Sequence, residues 1–240
     1  MLCFQYLVSR TKTLRRKHQW AWCEWSLRSG LIDDLNSGGP FLAELNVDRI
    51  AEEAFALVNE KGAGAFTLRA VAQRLGVTPM ALYHHVPDKT ALTGLVIDRA
   101  ILSRALPDLT DDWKYDILTF ANWIRAGART YPEITNLRRS NMVMTPMILS
   151  LSQHWQSIWD RSGLESDAST QAAIMSSLAI HGLVYEAMAI RSQEVPNKSA
   201  LEKDPTIARF VSLNPDPDHL FDLTVRSIVD GFYAQLSSKK

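Results

Sequence analysis

The sequence predicts an all-α protein, and three observations carry that prediction. From Val47 onward apolar residues recur at steps of three and four, the period of a helix with one buried face. No segment shows the strict alternation of a half-buried strand. Glycines, prolines and short polar caps punctuate the apolar runs at helix-length intervals.

The first helix is read from Val47, Ile50, Ala51, Ala54, Phe55 and Val58, which form one stripe. Lys61-Gly62-Ala63-Gly64 ends it, glycine being free to take a positive φ. Thr67 stands as an N-cap, and Leu68, Val71, Ala72 and Leu75 give a second, short helix its buried face. Gly76 is the turn. Thr78 is a second cap, with Pro79 at the first helical position, where a missing N–H costs nothing. The third helix, about 78–85, offers only Ala81 and Leu82 to a core, and Pro87 stops it. Asp88 caps a fourth helix with Ala91, Leu92, Leu95, Val96 and Leu102 on its inner side. Two short helices joined by a glycine turn, held between longer ones, make a helix-turn-helix. Such a unit anchors one face of its second helix and leaves the other polar and aromatic.

Beyond residue 108 helices are expected near 110–130, 133–139, 144–162, 167–193 and 218–237, separated by Pro132, Pro146, Gly163 and the proline-rich stretch 195–217. Residues 1–45 differ in character. They hold Trp20, Trp22 and Trp25, a basic cluster of Arg15, Arg16, Lys17 and His18, and the turn signal Asn36-Ser37-Gly38-Gly39-Pro40. They are read as a flexible extension, with an arm that adds phosphate contacts as the sharper alternative.

Composition narrows the function classes. The chain has 240 residues, 46% hydrophobic and 22% charged, enough for two packed units with a sizeable core. Its formal net charge is zero, so any argument for nucleic acid must rest on local geometry. The two cysteines, Cys3 and Cys23, make neither a disulfide framework nor a zinc set, which fits a reducing cytoplasm. The start is apolar first and basic second, the reverse of a secretory signal. No apolar run approaching ~20 residues stands out, so no membrane span is expected. There is no Gly-rich phosphate loop and no nucleophile in a local motif, so no enzyme and no cofactor are expected. His84 and His85 are adjacent and point about 100° apart on a helix, whereas metal pairs prefer i, i+4 spacing. No metal is expected.

The stretch FTLRAVAQRLGVTPMALYHHVPDKTALTGLV, Phe66–Val96, closely resembles the DNA-binding signature of the TetR family of transcriptional regulators. The shared features are the Thr-Leu-Arg opening, the Ala-x-x-Leu-Gly-Val turn, the Leu-Tyr-x-His-Val helix, and Asp-Lys-x-x-Leu leading into a long helix. The resemblance covers residues 46–104 and implies a helix-turn-helix DNA-binding domain there, followed over 105–240 by a helical effector-binding and dimerisation domain. It implies a homodimer on a palindromic operator in double-stranded DNA, released when a small molecule changes the spacing of the two recognition helices.

By that resemblance Tyr83 touches a phosphate or a thymine methyl, and His85 a phosphate, with His84 at a more variable position. Thr78, Pro79 and Met80 sit at the end of the helix that meets base edges. Pro79 and Met80 have no charge and read only shape and methyl groups. Arg69 reaches a guanine or a phosphate. Lys89 and nearby amides form an anion site, and Thr67 adds a phosphate contact.

A pocket for an amphipathic or aromatic effector is expected from aromatics and methionines with a few polar groups. Its candidates are Trp123, Asn141, Met142, Met147, Trp155, Met175, His181 and Tyr185. The last helix carries a wide apolar surface that includes Phe221, Val225, Ile228 and Phe232, expected to pair with its copy in a four-helix dimer interface.

Overall fold

A computed structural model of the chain describes residues 45–141, 143–192, 203–213 and 216–238. The expectations for residues 1–44, for Met142, for 193–202, for 214–215 and for 239–240 lie outside these. All regular structure among the described residues is helical: α1 Val47–Lys61, α2 Leu68–Leu75, α3 Pro79–Tyr83, α4 Lys89–Leu102, α5 Trp113–Thr130, α6 Pro132–Asn141, α7 Pro146–Asp160, α8 Ser166–Ser192, α9 Pro205–Leu213 and α10 Pro217–Ser237, with a short 3-10 turn at Ala63–Ala65. Helix α9 falls inside the proline-rich stretch read from sequence as a breaker. Pro205 occupies its first position, where proline starts a helix as readily as it ends one.

The chain forms two compact units. Among the described residues, 45–105 pack with Gly127–His154, and Leu106–Ala126 pack with those from Trp155 on. This division returns 127–154 to the first unit, where the sequence reading drew one boundary near residue 104.

In the first unit α1 packs on α2, α4 and α6, and α4 on α6. The core is aliphatic apart from Phe66: Ile50, Ala54, Leu57, Val58, Val71, Leu82, Val86, Leu92, Val96 and Ile97 are buried with it. Leu102 is a correction. It was expected on the inner side of α4 and is exposed, because the helix ends there. A polar group also sits inside this unit. Thr145 Oγ1 accepts from Ile148 N–H at 3.0 Å, which caps α7, and donates to the carboxylate of Asp98 on α4. Burial pushes the Asp98 carboxyl up to about 7, against the pull of the Thr145 hydrogen bond and the Arg138 charge.

The second unit is organised by indoles. Trp155 Nε1 donates to Ala173 O at 2.8 Å, and Trp159 Nε1 to Ser176 Oγ at 3.0 Å. The Trp159 ring meets Trp113, which meets Tyr233, each at 5.3 Å between centroids. Helix α8 packs against α10, where Phe221, Val225 and Val229 are buried. The segment Ser166–Ala189 of α8 is long and apolar enough to cross a membrane by length and composition, which the search for apolar runs had passed over. It contains Asp167, His181 and Glu186, and it packs on α10 as a bundle helix.

Candidate nucleic-acid interface

The helix-turn-helix is built by caps. Thr67 Oγ1 accepts from Ala70 N–H at 3.1 Å and starts α2. Gly76, at φ 71°, takes the left-handed conformation that ends α2, its N–H directed to Ala72 O and Gln73 O. Val77 N–H then donates to Ala72 O at 3.0 Å, which fixes the turn. Thr78 Oγ1 accepts from Ala81 N–H at 3.3 Å, with Pro79 as the first residue of α3. Asp88 Oδ1 accepts from Ala91 N–H at 2.8 Å and starts α4. Helix α3 is shorter than the expected 78–85, because the chain tightens after Tyr83: His85 N–H donates to Leu82 O at 2.9 Å and Val86 N–H to the same oxygen at 2.8 Å. His84 closes the helix and His85 lies beyond it.

Buried Leu82 and Val86 pin this segment to the core, so Pro79, Met80, Tyr83 and His84 face outward. Met80 is 66% exposed and Tyr83 46%. Thr67, Arg69, Thr78, Pro79, His84 and Lys89 are exposed as well, and His85 is half-buried. The structure therefore gathers the expected DNA-facing residues onto two short helices and the start of the next in one unit. Lys89 Nζ lies 5.7 Å from the centroid of the buried Phe66 ring, a cation–π contact that holds the ammonium at the start of α4.

Arginine use within α2 is divided. Arg74 is tied to Glu53 at 2.6 Å and to Glu60 at 2.5 and 2.8 Å, which neutralises it. Arg69 has no ion pair among the described residues and faces outward. Gln73 is exposed one turn after Arg69. The sequence reading passed over it, although i, i+4 spacing puts the two on one face. Among the described residues no group of three or more His, Cys, Asp and Glu is placed to hold a metal.

The expected effector residues are less gathered. In the second unit Trp155 is buried with its N–H satisfied, and Phe120 lies between it and Trp123, at 5.6 and 5.5 Å. The rings of His181 and Tyr185 are 6.1 Å apart on α8, and Met175 on the same helix is exposed. In the first unit Met147 is half-buried and Asn141 exposed, its amide donating to Leu137 O at 2.7 Å. A cavity of about 460 Å³ in the second unit is lined by none of these, but by Gly163, Leu164, Glu165, Asp167, Ala168, Gln171, Tyr233, Leu236 and Ser237. The expected dimer residues need a correction. Phe221 and Val225 are buried within their own unit, Phe221 under the Arg125 guanidinium at 4.5 Å, so they are not free to meet a second copy. Ile228 and Phe232 are half-buried. The exposed large apolar residues of α10 are Leu220 and Leu223.

Residues 45–94 match the family model described as bacterial regulatory proteins, tetR family. The chain is 28% identical over 168 residues to the transcriptional repressor DrrR1 of Streptomyces coeruleorubidus, a match that takes in 69% of this chain and 60% of that protein. It is 24% identical over 200 residues to the class A tetracycline repressor protein of Escherichia coli, covering 79% and 91%. Among solved structures it resembles Streptomyces coelicolor ActR in complex with actinorhodin, at TM-score 0.68 and 18% identity over 83% of this chain and all (100%) of that one. A TetR variant from Acinetobacter baumannii in complex with minocycline superposes with TM-score 0.67 and 23% identity, over 82% and 98%.

Proposed function

We propose that the chain is a transcriptional regulator of the TetR family, a repressor that binds a palindromic operator as a homodimer and is released by a small molecule. The observation that carries the reading is the outward-facing set Thr67, Arg69, Thr78, Pro79, Met80, Tyr83, His84 and Lys89 on a capped helix-turn-helix. Half-buried His85 adjoins it. Tyr83, Lys89, Thr67 and the histidines contact phosphates and set position. Arg69 reads a guanine, and Thr78, Pro79 and Met80 meet neighbouring base edges. The protein acts by binding and release in the cytoplasm, and we assign it no reaction.

Small-molecule complexes of ActR and of the Acinetobacter TetR variant support a ligand-released switch. We place the effector in the second unit, against Trp123, His181 and Tyr185, with Trp155 as its wall. Exposed Leu178 and Met175 on α8, with Leu220 and Leu223 on α10 and the half-buried Ile228 and Phe232, supply the dimer contact.

Fluorescence anisotropy of the full chain on a labelled duplex from upstream of its own gene, across a salt series, tests the reading. Binding should weaken with salt, as phosphate contacts release counterions, and should be lost in Tyr83→Ala. Lys89→Ala should weaken all sequences alike. Arg69→Ala should relax preference at one base pair, by ~1–3 kcal/mol of discrimination. Failure to bind that duplex, followed by failure to enrich any sequence from a random library, overturns it.

A further inference from the structure

The recognition helix is unusual in what it lacks. Its five residues are Pro79, Met80, Ala81, Leu82 and Tyr83. Leu82 is buried and Ala81 half-buried, so Pro79, Met80 and Tyr83 alone face outward. The Tyr83 hydroxyl is the sole polar side-chain group on the helix. It carries no Arg, Lys, Asn or Gln, the side chains that bond base edges in the major groove.

Its largest outward feature is instead the Met80 side chain, 66% exposed, flexible and polarisable. Among the base edges of the major groove the apolar group is the C5-methyl of thymine. Hydrogen-bond readers stand on the neighbouring helix, where Arg69 and Gln73 share a face and Arg74 is occupied by Glu53 and Glu60.

We propose that Met80, with Pro79 beside it, packs on thymine methyl groups. Each half-site then presents thymine to α3, while bonded reading of guanine and adenine falls to Arg69 and Gln73. The inference rests on the DNA-reading function proposed above and deepens it by naming the base chemistry that the site selects.

The test separates the two. The full chain first enriches duplexes from a random library. The enriched duplex is then resynthesised with each thymine replaced in turn by deoxyuridine, which removes the methyl and leaves base pairing intact. Expected is a loss of roughly fourfold in affinity for each methyl packed, the value of burying one methylene-sized group. That loss should vanish in Met80→Ser, whose circular dichroism should match the parent because the residue is exposed. If every deoxyuridine duplex binds as tightly as its parent, or if the loss persists unchanged in Met80→Ser, methyl reading by Met80 is overturned while DNA binding stands. If nothing is enriched, the DNA-reading function itself fails and takes this inference with it.

Discussion

The two units handle their aromatic and charged groups in opposite ways. Among its described residues the first buries one aromatic ring, Phe66, in an aliphatic core and turns nearly every charge outward. The second buries Phe120, Trp155, Trp159 and Phe221, and with them the carboxylate of Asp116. A buried indole needs a partner for its N–H, and these find Ala173 O and Ser176 Oγ. Asp116 is satisfied by Arg161 at 2.5 Å and by three hydrogen bonds from Thr110 at 2.8, 3.0 and 3.1 Å. The difference teaches where a surface is available. Short helices locked by caps need few large side chains inside, so the first unit can give Met80 and Tyr83 to a partner. The second spends Trp155 and Trp159 on its own cohesion, which argues against reading every tryptophan as part of a pocket.

The largest effect should come from the one residue that holds the recognition helix down. Leu82→Ala removes a fully buried side chain, and such changes cost about 2–5 kcal/mol. Chemical denaturation should show that loss, and DNA binding should fall even where the chain remains folded, because α3 has no other buried residue. Near-parental binding would mean that caps alone, without the leucine anchor, position the helix, and the contrast between the units would lose its basis.

Two aspartates sharpen the contrast through pH. Desolvation raises Asp116, but the hydrogen bonds of Arg161 and Thr110 and the Arg161 charge outweigh it and hold the carboxyl below its ordinary value. A depressed carboxyl contributes stability above its unfolded pKa of ~3.9 and loses it as pH falls through the folded value. Asp98 has the opposite sign. With its folded value pushed up to about 7, its cost is absent below the unfolded value and grows as pH rises from ~4 through 7. Asp98→Asn should therefore flatten stability between about pH 4 and 7 and stabilise the chain at pH 8, by roughly 1–3 kcal/mol. Asp116→Asn should destabilise at neutral pH and remove part of the acid limb. Melting curves across pH read both. An unchanged neutral limb in Asp98→Asn would show that Thr145 and Arg138 stabilise the ionised form.

The same contrast explains what the sequence made legible. The helix-turn-helix is a local object. Thr67, Gly76, Thr78, Pro79 and Asp88 each act on residues within three or four positions, so their spacing was sufficient, and the structure gives each the expected cap or turn. The exposure of Tyr83 and Met80 followed from the scarcity of core residues around Leu82. The second unit depends on contacts far apart in sequence. Periodicity marks Phe221 and Val225 as one apolar face, but whether that face meets its own chain or a second copy depends on partners such as Arg125 and α8. Nothing local in α4 marks Asp98 as buried, because Thr145, its hydrogen-bond partner, is 47 residues away. The start of α9 was blurred for a simpler reason. Proline ends one helix and begins another with the same geometry.

The smallest effect on stability should come from the largest change in length. Helix α1 starts from its own cap: Asn46 Oδ1 accepts from Arg49 N–H at 2.9 Å, Asn46 O accepts from Ile50 N–H at 3.1 Å, and Asp48 sits in the first turn, where an anion is favoured. Nothing upstream is needed to begin it. Removing residues 1–39 should therefore shift the unfolding free energy of the remaining chain by under about 0.5 kcal/mol, the range of changes that touch no core, cap or network. The deletion should leave a dimer by light scattering. Its effect should appear instead in DNA binding, if anywhere, because Arg15, Arg16 and Lys17 are lost with the segment. A shallower salt dependence after deletion would identify them as phosphate contacts, since the slope counts the phosphates neutralised. An identical slope would assign the electrostatic part of binding to Lys89, Arg69 and the histidines. Loss of the dimer would overturn the reading of residues 1–39 as dispensable for assembly, and would move the search for the subunit contact away from α8 and α10.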